Sequence, residues 1–585
     1  MKLSVVALDY DGTISDAAGQ LDGTVRKSIV ELRSRGIVVL IVTGRRLEHL
    51  REGIGDLGVV DAVIAENGAV VAFPASGRTM SLGRPLSQDF IKELEANALP
   101  FVSGESVVEM EAIYAEAALT IIRRLQLPLV LLFNRDRLMV LPQSVSKGTG
   151  LREALAAMRL SPHNTLAVGD AENDHELLAV AELGAAVAWG SAALQCAADE
   201  VIAGDGPPAV AAYLMDVAAR PRLTSRNKGK RPLILGRDTS ERMLTLHVPD
   251  RNVLIAGDPR SGKSWIAGLL AEQLIIQRYS VCIIDPEGDY RGLETLPGVL
   301  LFGGDDPPPR PRELMQALRN ADFSTVIDLS KLPFDQKRDY VTQLLAMLNI
   351  LRRQTGLPHR IVIDEAHYFF DDSNAKRLID FELAGYTIVT YRLSQLPRAV
   401  VSGTEAVILT RHTDRHEVEA LRSLPGAQSV DARMLSNLRV DQAVLLGGIE
   451  ESPEAPVRFE IAPRLTFHVR HQHKYLDVPV SERHAFVFRQ NGKTGKRVRS
   501  FREFSDASAT TPMQALAGHL SRNDFSRWIG DVFGDRPLAA QVRDVERRYQ
   551  LGPTADVNDE LLQLLRDRYT CDQSADADVR LKAST

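Results

Sequence analysis

Short runs of β-branched and aliphatic residues, each ending on a polar residue, recur along the chain: SVVALD, IVVLIVTGR, NTLAVGD, NVLIAGD, VCIID and RIVIDEAH. These runs are apolar without alternation, so each reads as a strand covered on both faces. A parallel sheet packed between helices meets that condition. Helical patterns separate the runs, as in DGTVRKSIVELRSRG, which Gly36 closes. The rhythm is that of βαβ units, and the fold class is α/β. The polar residues fall just after the strands, at the carboxyl edge where such sheets carry their sites.

At 585 residues the chain is too long for one core, and two to four domains are expected. The βα rhythm fills 1–218. A stretch rich in Lys and Arg, 219–232, reads as a linker, and the rhythm resumes over 233–462. A basic and then helical module follows over 463–571, and 572–585 reads as a disordered tail. The net charge of −6 argues against whole-molecule attraction to nucleic acid but leaves room for a local basic patch. Three widely separated cysteines give neither a metal spacing nor a disulfide framework. With no signal-like start and no apolar run of spanning length, a cytoplasmic protein without membrane contact is expected.

ALDYDGTIS places Asp9 and Asp11 two residues apart where the first strand ends, on one side of an alternating strand. Paired carboxylates suit phosphoryl chemistry: one attacks phosphorus while the other gives and takes a proton. Their repulsion calls for a divalent cation, and the phosphoryl oxygens call for a hydroxyl and an ammonium. The chain offers Thr43 in VTGRR, Lys147 in SVSKGTG, and Asp170, Asn173 and Asp174 in VGDAENDHE, each at a strand end or helix start.

In this order the motifs DxDGT, TGR, K and GDxxND resemble those of the haloacid dehalogenase superfamily of phosphatases. ENGA at 66–69 and DRLMVLPQSVSKG point to its Cof-type branch, and the short interval is similar to that of the compact phosphoglycolate phosphatases. The resemblance implies a Rossmann-like domain with an α/β cap at about 75–142. It makes Asp9 the nucleophile, Asp11 the general acid/base, and Thr43 and Lys147 the phosphoryl holders. Mg²⁺ would be bound by Asp9, the backbone carbonyl of Asp11, and Asp170, with Asp174 close by. The substrate would be a phosphorylated small molecule. In the cap, Arg123, Arg124, Arg135 and Arg137 are anion contacts on one reading and a solvated face on the other.

GDPRSGKS, residues 257–264, sits between an apolar strand and a helix and meets the spacing GxxxxGK[ST]. Gly257, Arg260, Ser261 and Gly262 form a loop whose N–H groups curl around the phosphates of ATP. Lys263 reaches the β/γ oxygens, and Ser264 ligates Mg²⁺. About a hundred residues on, RIVIDEAH ends in Asp364, a Mg²⁺ partner through water, and Glu365, which would polarise the attacking water. Between them TVIDLS supplies the additional strand that the spacing allows. IIDPEGDY, RIVIDEAH and IVTYRLSQLP together resemble the HerA/FtsK-type ATPases. That resemblance implies a P-loop NTPase domain in a homo-oligomeric ring, often a hexamer, with ATP between subunits and Arg411 as a finger. Tyr391, beside Thr390 and Arg392, stands where these ATPases often carry a γ-phosphate-sensing glutamine.

The segment 465–503 interleaves Lys and Arg with His468, His471, His473, Phe467, Tyr475, Phe486 and Phe488. It reads as a nucleic-acid surface or as a basic sheet face. After it, Phe525, Trp528, Ile529 and Phe533 mark the buried face of a small, mostly helical domain. Three functional readings stay open. One is a Mg²⁺-dependent phosphatase fused to a HerA-like ATPase that acts on nucleic acid. Another is a polynucleotide kinase-phosphatase with Asp285 as kinase base. The third is an ATPase gated by a metabolite-sensing phosphatase fold.

Overall fold

A computed structural model describes residues 2–134, 136–223, 231–247, 251–422, 424, 427, 430–447, 456–466, 480, 485–533, 536–552 and 556–569, except 491–492. The expectations for Arg135, Phe467, His468, His471, His473, Tyr475 and the tail 572–585 lie outside the described residues. Contacts divide the chain into two units, Met1–His468 and Val469–Thr585.

The larger unit holds two sheets. The first has eight strands in the order Glu200–Ile202, Leu183–Val187, Thr165–Gly169, Val5–Asp9, Val38–Val42, Ala62–Ala65, Val70–Phe73 and Arg78–Ser81. All pair in parallel up to Ala62–Ala65, and the last two close as antiparallel hairpins. Strand order reverses at Val5–Asp9, so Asp9 emerges at the crevice where open α/β sheets bind ligands. A separate antiparallel sheet, Val102–Ser103, Val108–Glu111, Arg137–Pro142 and Leu129–Asn134, forms the cap with two helices, Gln88–Ala96 and Ala115–Arg124. The strand Arg78–Ser81 pairs in the core sheet although it falls in the stretch assigned to the cap.

The second sheet has eleven strands, and those from Ala406–Leu409 to Val299–Gly303 run parallel. TVIDLS does form the additional strand expected of it, Ser324–Asp328. The strand between the P-loop strand Val253–Ala256 and the strand Arg360–Ile363 is Tyr386–Thr390. TVIDLS lies on the far side, between Val281–Asp285 and Val299–Gly303. Sequence separation alone does not order strands in a sheet that is filled from both sides.

The two sheets share one uninterrupted apolar core. They meet through a buried polar joint at the amino ends of their catalytic strands. His163 Nδ1 lies 2.9 Å from Glu182, and its Nε2 lies 3.0 Å from the carbonyl of Gln277, the residue that caps the P-loop helix Lys263–Ile276. His359, just ahead of the strand Arg360–Ile363, accepts the Ser280 N–H at Nδ1 and places Nε2 3.1 Å from Asn164 Oδ1. Tyr279 stacks on His163 at 3.6 Å and donates to Glu182, which Arg231 also engages at 2.8 Å. Glu182 is therefore the acceptor on which the joint converges. Glu182→Ala takes the shared acceptor from the partly buried Arg231 and from the buried Tyr279 and His163, and is expected to destabilise the chain by about 2 kcal/mol, read as a lower urea midpoint.

The smaller unit pairs Phe486–Gln490 with Lys493–Val498 and packs helices against them. Phe486, Phe488, Phe525, Trp528 and Ile529 are buried in its core. Phe486 and Phe488 are thus core residues and not open platforms for stacked bases, because alternate positions of this strand face the helices.

Candidate functional site

The first site forms where three core strands end. Asp9 closes Val5–Asp9, Asp170 follows Thr165–Gly169, and Asp174 sits on the turn after it. Carboxylate oxygens of Asp9, Asp170 and Asp174 all lie within 4.8 Å of one another, and all three residues are buried. Lys147, first residue of the helix Lys147–Ala157, reaches Asp9 Oδ1 at 2.6 Å and Asp174 Oδ1 at 2.7 Å. Asp174 Oδ2 accepts the N–H groups of Asp170 and Ala171, so Asp174 ties both the loop and the lysine in place. Burial, reinforced by Asp174, pushes the Asp9 carboxyl well above the usual carboxylate range against the pull of Lys147. Burial also opposes the Lys147 charge, but Asp174 and Asp9 outweigh it and raise its pKa above that of ordinary lysine. One ammonium faces three carboxylates, all four side chains being buried. That excess of negative charge and the all-oxygen donor set fit a hard divalent cation such as Mg²⁺.

Asp11 lies beyond the strand end, in a turn, and its carboxylate is not part of this cluster. Arg45 forks onto it, with Nη2 at 2.6 Å and Nε at 3.0 Å, while its guanidinium stands over the Tyr10 ring. Thr43 is buried, and its hydroxyl accepts the Arg45 N–H. Arg45 was missed from sequence although it stands in the quoted TGR. Thr13 of DxDGT was missed too, and its hydroxyl donates to Asp9 at 3.0 Å. Arg45→Ala frees the Asp11 carboxylate from its fork. With Asp11 read as the acid/base group, kcat for ester hydrolysis is expected to fall roughly tenfold to a hundredfold, since such a group contributes about 10²–10⁴ only when held in place; steady-state kinetics check this.

A cavity of about 560 Å³ opens above Asp9. Its roof comes from the cap, where Glu109, Arg137 and Met139 lie on adjacent strands. Arg137 pairs with Glu109 at 2.7 Å, and Met139 closes against Gly44. Of the cap arginines singled out from sequence, Arg137 lines this cavity, while Arg124 pairs with Glu93 on the cap's other helix.

The second site forms at the carboxyl ends of the other sheet. The loop Gly257–Gly262 leads into the helix that opens with Lys263, and a Cβ on Gly257 would collide with Thr410. Arg260 holds a left-handed backbone, and the Ser261 hydroxyl meets the Asp258 carbonyl and Thr410. Lys263 Nζ donates to the Asp258 carbonyl at 2.8 Å and stands 5.8 Å from the centre of the Tyr391 ring. Ser264 donates to Asp289 at 2.9 Å. Asp364 and Glu365 are fully buried, and Glu365 takes a left-handed conformation, φ 46°. For a residue with a side chain that conformation is strained, and such strain gathers at functional sites. His367 lies 3.7 Å from the Glu365 carboxylate, 3.0 Å from the Thr390 hydroxyl, and edge-on to Tyr391. Asp289 and His367 stand in quoted motifs. Thr410 carries no local signal, since it arrives from the neighbouring strand Ala406–Leu409.

Asp285, the candidate kinase base, is buried and accepts the N–H groups of Glu287, Gly288, Asp289 and Tyr290. Burial, with Asp289, holds its carboxyl well above the usual range. It anchors the turn that presents Asp289, and its acceptor positions are taken.

Residues 6–118 and 104–214 match the family of haloacid dehalogenase-like hydrolases, and residues 248–388 match the central domain of helicase HerA. A phosphoglycolate phosphatase of Methanoculleus marisnigri is 31% identical over 200 residues, spanning 32% of this chain and 84% of the relative. One from Halorubrum lacusprofundi is 30% identical over 226 residues, 37% of this chain and 97% of the relative. A solved haloacid dehalogenase-like hydrolase from Bacteroides thetaiotaomicron, 15% identical, covers 37% of this chain and 100% of its own, with a TM-score of 0.34. The chain belongs to the haloacid dehalogenase-like hydrolases through its first domain. It joins that phosphatase domain to a HerA-type ATPase domain. No helix among the described residues is long and apolar enough to cross a membrane.

Proposed function

We propose that the chain is a bifunctional hydrolase: a Mg²⁺-dependent phosphomonoesterase of small phosphorylated hydroxy acids, and an ATPase that works as a ring on nucleic acid. The observation that carries the first half is the buried Asp9–Lys147–Asp174 constellation with Asp170 beside it. Asp9 attacks phosphorus, the bond to the leaving oxygen breaks, and Asp11 donates the proton that oxygen needs. Asp11 then takes a proton from water as it attacks the aspartyl phosphate, and the bond to Asp9 breaks. Thr43 and Lys147 hold the phosphoryl oxygens, and Arg45 holds Asp11. Mg²⁺ held by Asp9, Asp170 and the backbone carbonyl of Asp11, with Asp174 alongside, would offset the charge shared by carboxylates and phosphate. The relatives' substrate, phosphoglycolate, carries a carboxylate on its leaving group, and Arg137 in the cavity roof suits such an anion.

In the ATPase, Lys263 and the loop before it would bind the phosphates, Ser264 and, through water, Asp364 would hold Mg²⁺, and Glu365 would orient the attacking water. The test is a phosphatase screen with Mg²⁺ across phosphoglycolate, sugar phosphates, nucleotides and 3′-phosphorylated DNA, beside ATP turnover with and without DNA. A small phosphorylated acid as preferred ester, with turnover raised by DNA, supports the reading. Preference for 3′-phosphorylated DNA, with phosphate passed from ATP to a 5′-hydroxyl end, overturns it. EDTA is expected to abolish ester hydrolysis and added Mg²⁺ to restore it.

The buried joint favours a second reading, in which the phosphatase fold gates the ATPase. One short turn, Pro162–Asn164, leads into the strand ahead of Asp170 and touches both the end of the P-loop helix and the residue ahead of Arg360–Ile363. ATP turnover that responds to a phosphorylated acid in an Asp9→Asn variant supports gating, and an unchanged rate across the panel opposes it.

A further inference from the structure

The turn Glu66–Gly68 stands outside the roles given above, yet it touches the segments that carry Thr43, Lys147 and Asn173. Glu66 and Asn67 both hold left-handed backbones, φ 51° and 55°, an unusual pair for residues with side chains. The Glu66 N–H donates to the Arg45 carbonyl at 3.0 Å, and the Asn67 N–H donates to the Thr43 carbonyl, also at 3.0 Å. Gly68 packs so closely on Ser146, ahead of Lys147, that a Cβ there would overlap the Ser146 carbonyl. The Asn67 side chain lies 3.5 Å from that of Asn173.

The Glu66 side chain points the other way, into the cap. Buried, it accepts the N–H of Glu105 at 2.9 Å and that of Ser106 at 3.3 Å. Gly104 presses on the same carboxylate, leaving no space for a Cβ. Residues 104–107 form the tip of the hairpin between Val102–Ser103 and Val108–Glu111. Three residues beyond Ser106 comes Glu109, which lines the cavity, pairs in register with Met139 and grips Arg137.

We propose that Glu66 is the positioning residue that seats the cap. Its carboxylate fixes the hairpin tip, and through it the Glu109–Arg137–Met139 roof, while its backbone holds Thr43 and Arg45. This rests on the phosphatase reading above. Glu66 touches neither phosphorus nor leaving group, so its loss acts on discrimination between esters more than on the chemical step. The effect is one of specificity through geometry.

The test compares wild type, Glu66→Ala and Glu66→Gln in the full chain. One readout is the ratio of kcat/KM for the best ester of a phosphorylated hydroxy-acid and sugar panel to that for p-nitrophenyl phosphate. The other is amide hydrogen exchange over 102–111. We expect Glu66→Ala to lower the ratio at least tenfold, mostly through KM, with kcat on p-nitrophenyl phosphate within about threefold of wild type. We expect exchange at Glu105 and Ser106 to quicken at least tenfold. Glu66→Gln keeps an acceptor oxygen and restores most of both. An unchanged ratio with the hairpin still protected overturns the proposal, as does an equal loss on both esters. Wild type that hydrolyses neither ester defeats the phosphatase reading instead, and the exchange data then judge the latch alone.

Discussion

Asp9→Asn is expected to abolish ester hydrolysis, by at least about a thousandfold, and to leave ATP turnover near wild type. The size follows from the site. Asp9 is the buried carboxylate at the end of the first strand, within reach of Lys147 and Thr13, and an amide there is a poor nucleophile. The fold tolerates the change, because Asn occupies the same volume and its oxygen can still accept from Lys147 or Thr13. The measurement is release of inorganic phosphate from the preferred ester beside release from ATP, in one preparation.

Glu365→Gln gives the mirror result. ATP turnover is expected to fall by about 10²–10⁴, while ester hydrolysis and nucleotide binding persist. Glu365 is fully buried at the end of a catalytic strand, its backbone held left-handed and His367 beside its carboxylate. The amide fits the space but does not polarise water. Fluorescent-nucleotide titration with the two turnover assays separates lost chemistry from lost binding. Loss of both activities in either variant contradicts two separate sites.

Much of this was legible in the sequence because chemistry and strand ends coincide. Asp9, Asp170, Asp285 and Asp364 each close or follow an apolar run, so their placement at one sheet edge follows from the parallel fold. The assembly of Lys147 with Asp9 was legible from motif order alone. Roles that depend on what arrives from elsewhere were not. Arg45 could be read as any arginine until its fork onto Asp11 was seen, and Thr410 reaches the P-loop from a neighbouring strand. TVIDLS was legible as a strand, but its place in the sheet was not, because a sheet filled from both sides does not follow the chain. Phe486 and Phe488 were ambiguous because buried and base-stacking aromatics share a spacing; only the helices packed on them decide. The joint at His163, Glu182, Tyr279 and His359 had no signal, since each residue is an ordinary polar residue beside a strand.

The central claim is that one chain holds two separate phosphate pockets. A crystal structure of the full chain with Mg²⁺, beryllium fluoride and a slowly hydrolysed ATP analogue tests it most directly. The account predicts beryllium fluoride on the Asp9 carboxylate, against Lys147, and in the same chain the analogue's phosphates on Lys263 with Asp364 and Glu365 facing the terminal one. Both ligands in a single pocket, or Asp9 and Lys263 each bare at saturating ligand, would contradict it.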